Sequence, residues 1–177
     1  MGVTPDTSTL ELVLVRHAKS DWGDPSLADH DRPLNARGRR NAPEMAQRFA
    51  ASRARVDRIL SSTALRARTT AQAFGDVLGL PVELRPEMYA SSPSTLASMA
   101  ADSGVRRVML VAHDPGITEL AERASAGEIT HLPTGAVARF AWTVPGSSGQ
   151  ADHGWNTIDW DRAEMWSLDT PRGGATG

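Results

Sequence analysis

The stretch Leu12-Val13-Leu14-Val15-Arg16-His17-Ala18-Lys19-Ser20 decides how the rest of the chain is read. Four apolar residues, the kind that bury both faces of a parallel strand, run directly into an arginine, a histidine and a lysine. Polarity changes at the strand's carboxyl end, where open α/β sheets place their ligand sites. A strand over residues 10–15 is expected, with His17 just beyond it as a candidate nucleophile toward a phosphoryl group.

Working outward, residues 21–33 (DWGDPSLADHDRP) carry Asp, Pro and Gly without a sustained period and read as a loop over that edge. Asn35 is a plausible cap for a helix ending near residue 52, whose apolar stripe is Ala42, Met45, Ala46, Phe49 and Ala50. A strand over residues 56–60 leads to Ser62 or Thr63, either of which can cap a helix through residue 78. Arg66 falls in the first turn of that helix, and Gly79 stops it. Residues 81–84 read as a short edge strand and residues 86–91 as a loop. Ser92-Pro93 opens a helix to about residue 102. The second strong strand, residues 105–112, ends at His113 much as the first ends at Arg16-His17. Asp114-Pro115-Gly116 then opens a helix with Ile117, Leu120, Ala121 and Ala124 on one face. Two strands of mostly edge character, residues 136–143 and 163–168, close the pattern, with a mobile stretch expected over residues 145–152.

Alternating strands and helices in 177 residues predict one α/β domain spanning residues 1–177, with loose tails at 1–9 and 170–177. With 19 basic and 21 acidic residues the formal net charge is -2, which gives no global field to recruit nucleic acid or an anionic membrane. Cysteine is absent, excluding disulfides, thiolate metal sites and cysteine nucleophiles. His30, His131 and His153 are too scattered for characteristic metal-ligand spacing, so neither metal nor other cofactor is expected. Apolar runs stay well short of the roughly 20 residues a membrane span needs. A cytoplasmic protein is the expectation, with oligomeric state left open. Trp142, Trp155, Trp160 and Trp166 read as core and edge packing.

Four runs in this order, RHAKSDW (16–22), DHDRPLNARGRRNA (29–42), SSTALRARTTA (61–71) and VAHDPGI (111–117), resemble the histidine phosphatase superfamily and its small SixA-like phosphohistidine phosphatase branch. PTGAVARFAW (133–142) resembles it more weakly. The resemblance implies a three-layer α/β/α sandwich with a mostly parallel central sheet, of the phosphoglycerate mutase-like type. It also implies that His17 attacks phosphorus while Arg16, Arg66 and His113 surround the phosphoryl oxygens. Elementary chemistry agrees, because phosphoryl transfer mostly requires positioning and preorganised positive charge. Arginine supplies planar, permanently charged forks for such oxygens. Arg16 and Arg66 beside His17 should lower its pKa by repulsion and favour the neutral, nucleophilic ring.

The proton donor to the leaving group is less evident. Asp114, directly after the second histidine, matches the position used by the acid phosphatase branch, although an aspartate before proline is also a good helix cap. Glu87 is the other candidate. Lys19 and Ser20 could add phosphate donors, whereas Arg32 and Asn35 read as loop anchor and helix cap. The sequence thus points to a metal-independent phosphatase working through phospho-His17, with a protein phosphohistidine as favoured substrate and partner. A small-molecule phosphomonoesterase and a catalytically weak phosphate-binding module are the alternatives.

Overall fold

The apolar run that opens the sequence forms β1 (Thr9–Arg16), and both of its faces are covered. Leu10, Leu12 and Leu14 pack on one side and Val13 and Val15 on the other, all essentially inaccessible to solvent. The computed structural model describes residues 9–144 and 153–173. Among these, β1 is followed by α1 (Ala36–Ala51), β2 (Arg58–Ser61), α2 (Leu65–Leu78), β3 (Val82–Leu84), α3 (Pro93–Ala101), β4 (Arg107–Ala112), α4 (Gly116–Ala124), β5 (Val137–Thr143) and β6 (Met165–Asp169).

The strands make one sheet in the order β3-β2-β4-β1-β5-β6. The pairs β2–β3, β2–β4 and β1–β4 are parallel, while β5 and β6 add antiparallel on the far side of β1. Met45, Ala46 and Phe49 of α1 and Ala67, Ala71 and Phe74 of α2 cover one face, against Val13, Val15, Met109 and Val111. Leu96 and Ala100 of α3 and Ile117, Leu120, Ala121 and Ala124 of α4 cover the other, against Leu12, Leu14, Val108 and Leu110. The expected three-layer sandwich is therefore present.

This topology decides where the site lies. β1 and β4 are neighbours, yet the chain leaves β1 toward α1 on one face and leaves β4 toward α4 on the opposite face. A crevice opens at the carboxyl ends of two strands whose connections diverge in this way. The register aligns Arg16 with Ala112, and the amide of His17 donates to the carbonyl of Ala112 at 3.1 Å. His17 and His113 are thus each one residue beyond the last aligned pair.

Helix boundaries follow local chemistry. Asn35 caps α1 by accepting from the Gly38 amide, and Ser92 caps α3 by accepting from the Thr95 amide with Pro93 at its first position. Gly79 ends α2 in the left-handed region at φ 68°. The expected cap of α2 is corrected: the helix begins at Leu65, so Ala64 occupies the cap position without a side-chain cap, and Ser62, two residues earlier, accepts from the Ala64 amide instead. The edge character expected of residues 136–143 is also corrected. β5 lies inside the sheet between β1 and β6, and its alternation arises because Ala138, Phe140 and Trp142 face the core while the face carrying Arg139 and Ala141 is only half covered.

β3 is a three-residue edge strand standing between Pro81 and the Pro86–Met88 3-10 turn. Trp142, Trp155 and Trp160 pack together, Trp155 stacking on Trp160 with ring centroids 5.7 Å apart. The loose tail expected from residue 170 is corrected in part, since Arg48 of α1 donates to Asp169 and to the carbonyls of Thr170 and Gly173. Thr9, expected to be loose, begins β1. Residues 1–8 and 174–177, the rest of those tails, and the stretch 145–152 expected to be mobile lie outside the described residues. Among the described residues no helix is long and apolar enough to cross a membrane.

Candidate active site

His17 and His113 face each other at the carboxyl ends of β1 and β4 with ring centroids 5.0 Å apart. Both are almost fully buried, at 8% and 6% exposure. The Nδ1 of His17 lies 2.7 Å from the carbonyl oxygen of Ala18. A carbonyl can only accept, so Nδ1 carries the proton and Nε2 of the neutral ring keeps its lone pair. Burial, more than any neighbouring charge, lowers the His17 pKa to about 4; Arg66 and Arg16 add to the lowering, and the Ala18 bond and Asp114 oppose it. Burial likewise lowers His113 to about 3, with His17 and Arg66 contributing. The expected lowering by the two arginines is present, and desolvation is the larger cause beside it.

The loop that carries His17 is clamped from several sides. The Ala18 amide donates to the Thr70 hydroxyl of α2 at 3.0 Å, and the Asn35 amide donates to the Lys19 carbonyl at 2.9 Å. Gly38 is required here, since a β-carbon at that position would collide with the Lys19 carbonyl oxygen. Ser20 is buried and bridges to Leu34. Lys19 is half-buried, and among the described residues the side chains of Lys19 and Ser20 donate no hydrogen bond to the histidine cluster.

Two arginines flank the histidines, each braced by an aspartate. Arg16 Nη1 donates to the Leu132 carbonyl at 2.7 Å and pairs with Asp114 Oδ2 at 2.8 Å, tying the end of β1 to the residue after His113. The other Asp114 oxygen accepts from the Thr118 hydroxyl at 2.5 Å. The helix cap read into Asp114 is corrected: Pro115 caps α4, with no side-chain cap. Arg66, 8% exposed, donates to the Asp29 carbonyl at 2.6 Å and to Asp29 Oδ2 at 2.9 Å. Tyr89 donates its hydroxyl to the same oxygen at 2.7 Å and sets its ring edgewise against His113, 5.6 Å between centroids. Arg66 and Tyr89 hold the Asp29 carboxyl below its usual range, the Tyr89 bond being the larger cause.

Among the described residues, buried Arg16 Nε and His113 Nδ1 find no hydrogen-bond partner. Buried nitrogens are rarely left unpaired, so two at one crevice mark a place for an acceptor that the chain does not itself supply. Four expected residues, Arg16, His17, Arg66 and His113, come together with Asp114. Glu87 does not join them; it is exposed on the turn before Tyr89 and makes no hydrogen bond or ion pair among the described residues. Asp29, Tyr89 and Ser62 also belong to the cluster, beyond the residues the sequence singles out. Asp29 and Ser62 lay inside the matching runs, whereas Tyr89 carried no sequence signal.

Residues 12–91 match the family model described as histidine phosphatase superfamily (branch 1). The crystal structure of a protein assigned as phosphohistidine phosphatase SixA from Agrobacterium tumefaciens is 34% identical, with a TM-score of 0.69 over 77% of this chain and 96% of that one. The chain belongs to the histidine phosphatase superfamily. This phosphatase is also 27% identical over 155 residues to phosphohistidine phosphatase SixA of Escherichia coli, covering 82% of this chain and 92% of that one. A SixA structure complexed with tungstate is 25% identical, with a TM-score of 0.65 over 74% and 87% of the two chains. The phosphatase thus has the phosphoglycerate mutase-like fold of these neighbours.

A cavity of about 600 Å³ lies at the opposite end of the sheet, among Glu11, Asp57, Arg107 and Arg139. It takes no part in this cluster.

Proposed function

We propose that the phosphatase removes phosphoryl groups from protein phosphohistidine through a covalent intermediate on His17. The observation that carries the reading is the fixed tautomer of His17: a buried ring, neutral down to about pH 4, whose Nδ1 proton is spent on Ala18 and whose Nε2 lone pair is free. Nε2 attacks phosphorus as the bond from phosphorus to the substrate imidazole breaks. The departing electron pair stays on that ring, which leaves neutral when its other nitrogen carries a proton. Water then attacks phospho-His17, the electron pair returns to Nε2, and inorganic phosphate departs. Arg16, Arg66 and the unpartnered nitrogen of His113 neutralise the charge on the equatorial oxygens. Lys19 and Ser20 serve this reading as parts of the clamped loop.

Phosphohistidine is favoured over an ester because neither expected carboxylic acid is set out as a proton donor. Glu87 stands apart from the cluster, and Asp114 is engaged by Arg16 and Thr118. A phosphoramidate needs no such donor. The second reading, a small phosphomonoester, rests on the nearness of Asp114 to His17, which would let it protonate an alkoxide leaving group.

Incubation with a phosphohistidine protein, quenching in alkali and mapping of the label tests the proposal. Acid-labile phosphate on His17 is expected, with turnover faster on the phosphoprotein than on alkyl phosphates. Label elsewhere would overturn the intermediate. Faster turnover of alkyl phosphates, lost in Asp114→Asn, would transfer the assignment to the phosphomonoester reading.

A further inference from the structure

The remaining nitrogen of His113 lies 2.7 Å from a side chain that the proposed chemistry has not used, the hydroxyl of Ser62. Ser62 is fully buried and sits directly after β2, the strand on the other side of β4 from β1. Its amide donates to the Val111 carbonyl at 3.0 Å, so its place relative to β4 is set by the sheet.

Hydrogen-bond accounting distinguishes the two neutral forms of His113. The Ser62 hydroxyl accepts from the Ala64 amide at 3.2 Å, and among the described residues its contact with His113 Nε2 is its only other one. If Nε2 carried the ring proton, it would donate to Ser62. The hydroxyl proton of Ser62 would then have no acceptor in a fully buried place, and Nδ1 would be a lone pair with no donor. If Nδ1 carries the proton, Ser62 donates to Nε2 and every group is satisfied except the Nδ1 proton. Leaving a buried polar group without a partner costs its full desolvation, so the form with fewer of them prevails.

We infer that Ser62 is a positioning residue, which fixes His113 as the Nδ1-protonated tautomer and so makes it a hydrogen-bond donor to a bound phosphoryl oxygen. The inference rests on the proposed contact of His113 with the phosphoryl group, and it deepens that contact by stating which atom donates. The two histidines then have the same tautomer set by different partners. On His17 it frees Nε2 to attack; on His113 it frees the Nδ1 proton to be given to an anion. The second serine of the run SSTALRARTTA thereby acquires a function separate from that of Arg66 in the same run.

The direct test needs no variant. Histidine-selective nitrogen-15 NMR of the intact phosphatase near pH 7 should show His113 with a protonated Nδ1 and an unprotonated Nε2. Adding tungstate as a phosphoryl mimic should then shift the Nδ1 proton signal. A protonated Nε2 in the free protein would overturn the inference. So would a bound-tungstate spectrum in which the His113 Nδ1 signal is unmoved while the His17 signals respond. Ser62→Ala should produce a mixture of tautomers and lower kcat by about 10- to 100-fold, on the scale seen when a metal-bound imidazole loses the partner of its other nitrogen. Ser62→Thr, which keeps the hydroxyl, should restore the tautomer and most of the rate. A folded Ser62→Ala protein with an unchanged tautomer would also refute the assignment. Alkaline trapping of phospho-His17, run beside these spectra, separates a failure of this inference from a failure of the proposed intermediate, since label can form whichever nitrogen of His113 is protonated.

Discussion

His17 and His113 end neighbouring strands at matching register, yet one is held by main chain and the other by side chain. His17 donates to the carbonyl of Ala18, a group that every residue type at that position would provide. His113 depends on the hydroxyl of Ser62, which a single substitution removes. The arginines repeat the contrast at another level. Arg16 is braced by Asp114, from the strand end beside its own, whereas Arg66 is braced by Asp29 and Tyr89, drawn from two separate loops. The half of the site next to β1 is thus built mainly by the sheet, and the half next to α2 by loops that fold over it.

Alanine substitution separates the two histidines most strongly. His17→Ala should lower kcat by roughly 10³-fold or more, because it removes the attacking atom. His113→Ala should cost roughly 10²- to 10³-fold, the scale for losing one preorganised donor, while still allowing phospho-His17 to accumulate. Single-turnover measurements with a labelled phosphodonor check both, and equal losses with no label in either variant would break the distinction.

Gly38→Ala probes the clamp on the His17 loop. The added methyl would collide with the Lys19 carbonyl, so α1 must shift and stability should fall by about 1–3 kcal/mol. Urea unfolding measures this, and an unchanged midpoint would mean the helix start gives way freely. Asp29→Asn tests the loop-built half. It keeps the shape but removes the charge facing Arg66, and kcat/KM should fall about fivefold, corresponding to about 1 kcal/mol, mostly through KM.

pH acts on both histidines together, through stability. Both histidines have folded pKa values below the ordinary 6.5, His17 near 4 and His113 near 3. The unfolded chain therefore binds more protons between about 4 and 6.5, and stability rises with pH through that window, being lost as pH falls toward 4. Above 6.5 these groups contribute no further slope. Histidine NMR should show both rings neutral at pH 5.5, and a midpoint near 6.5 for either would show that the site is wetter than its geometry indicates.

The parts of the site legible in the sequence are those that sit on strong strands. Residues 12–15 and 108–111 are continuous apolar runs, so the residues immediately after them, Arg16-His17 and His113, could be placed at strand ends without knowing the sheet order. Arg66 was legible as a first-turn residue of α2, but its partner was not. Asp29 meets it from 37 residues upstream, and Tyr89 reaches the same carboxylate from another loop. No local period encodes such meetings. Ser62 reads as a cap because a serine before a helix usually serves nearby amides; its hydroxyl does accept from the Ala64 amide, but α2 begins only at Leu65, and the same hydroxyl also meets His113, a tertiary contact that no local pattern encodes. The inward place of β5 was hidden for a related reason. Its alternation looks the same whether a strand lies at an edge or merely has one half-covered face, and only its pairing with β6 distinguishes the two.

The brevity of β3 bears on a different property, association between copies of the chain. An exposed sheet edge offers unpaired amides and carbonyls to any passing strand. Here that edge is three residues long, with a proline immediately before it and another two residues after its end. Proline has no amide proton to offer, so an incoming strand would meet too short a template to propagate a ladder. The parallel end of the sheet is thereby protected from aggregation by its length and its flanking residues, without a helix to cover it.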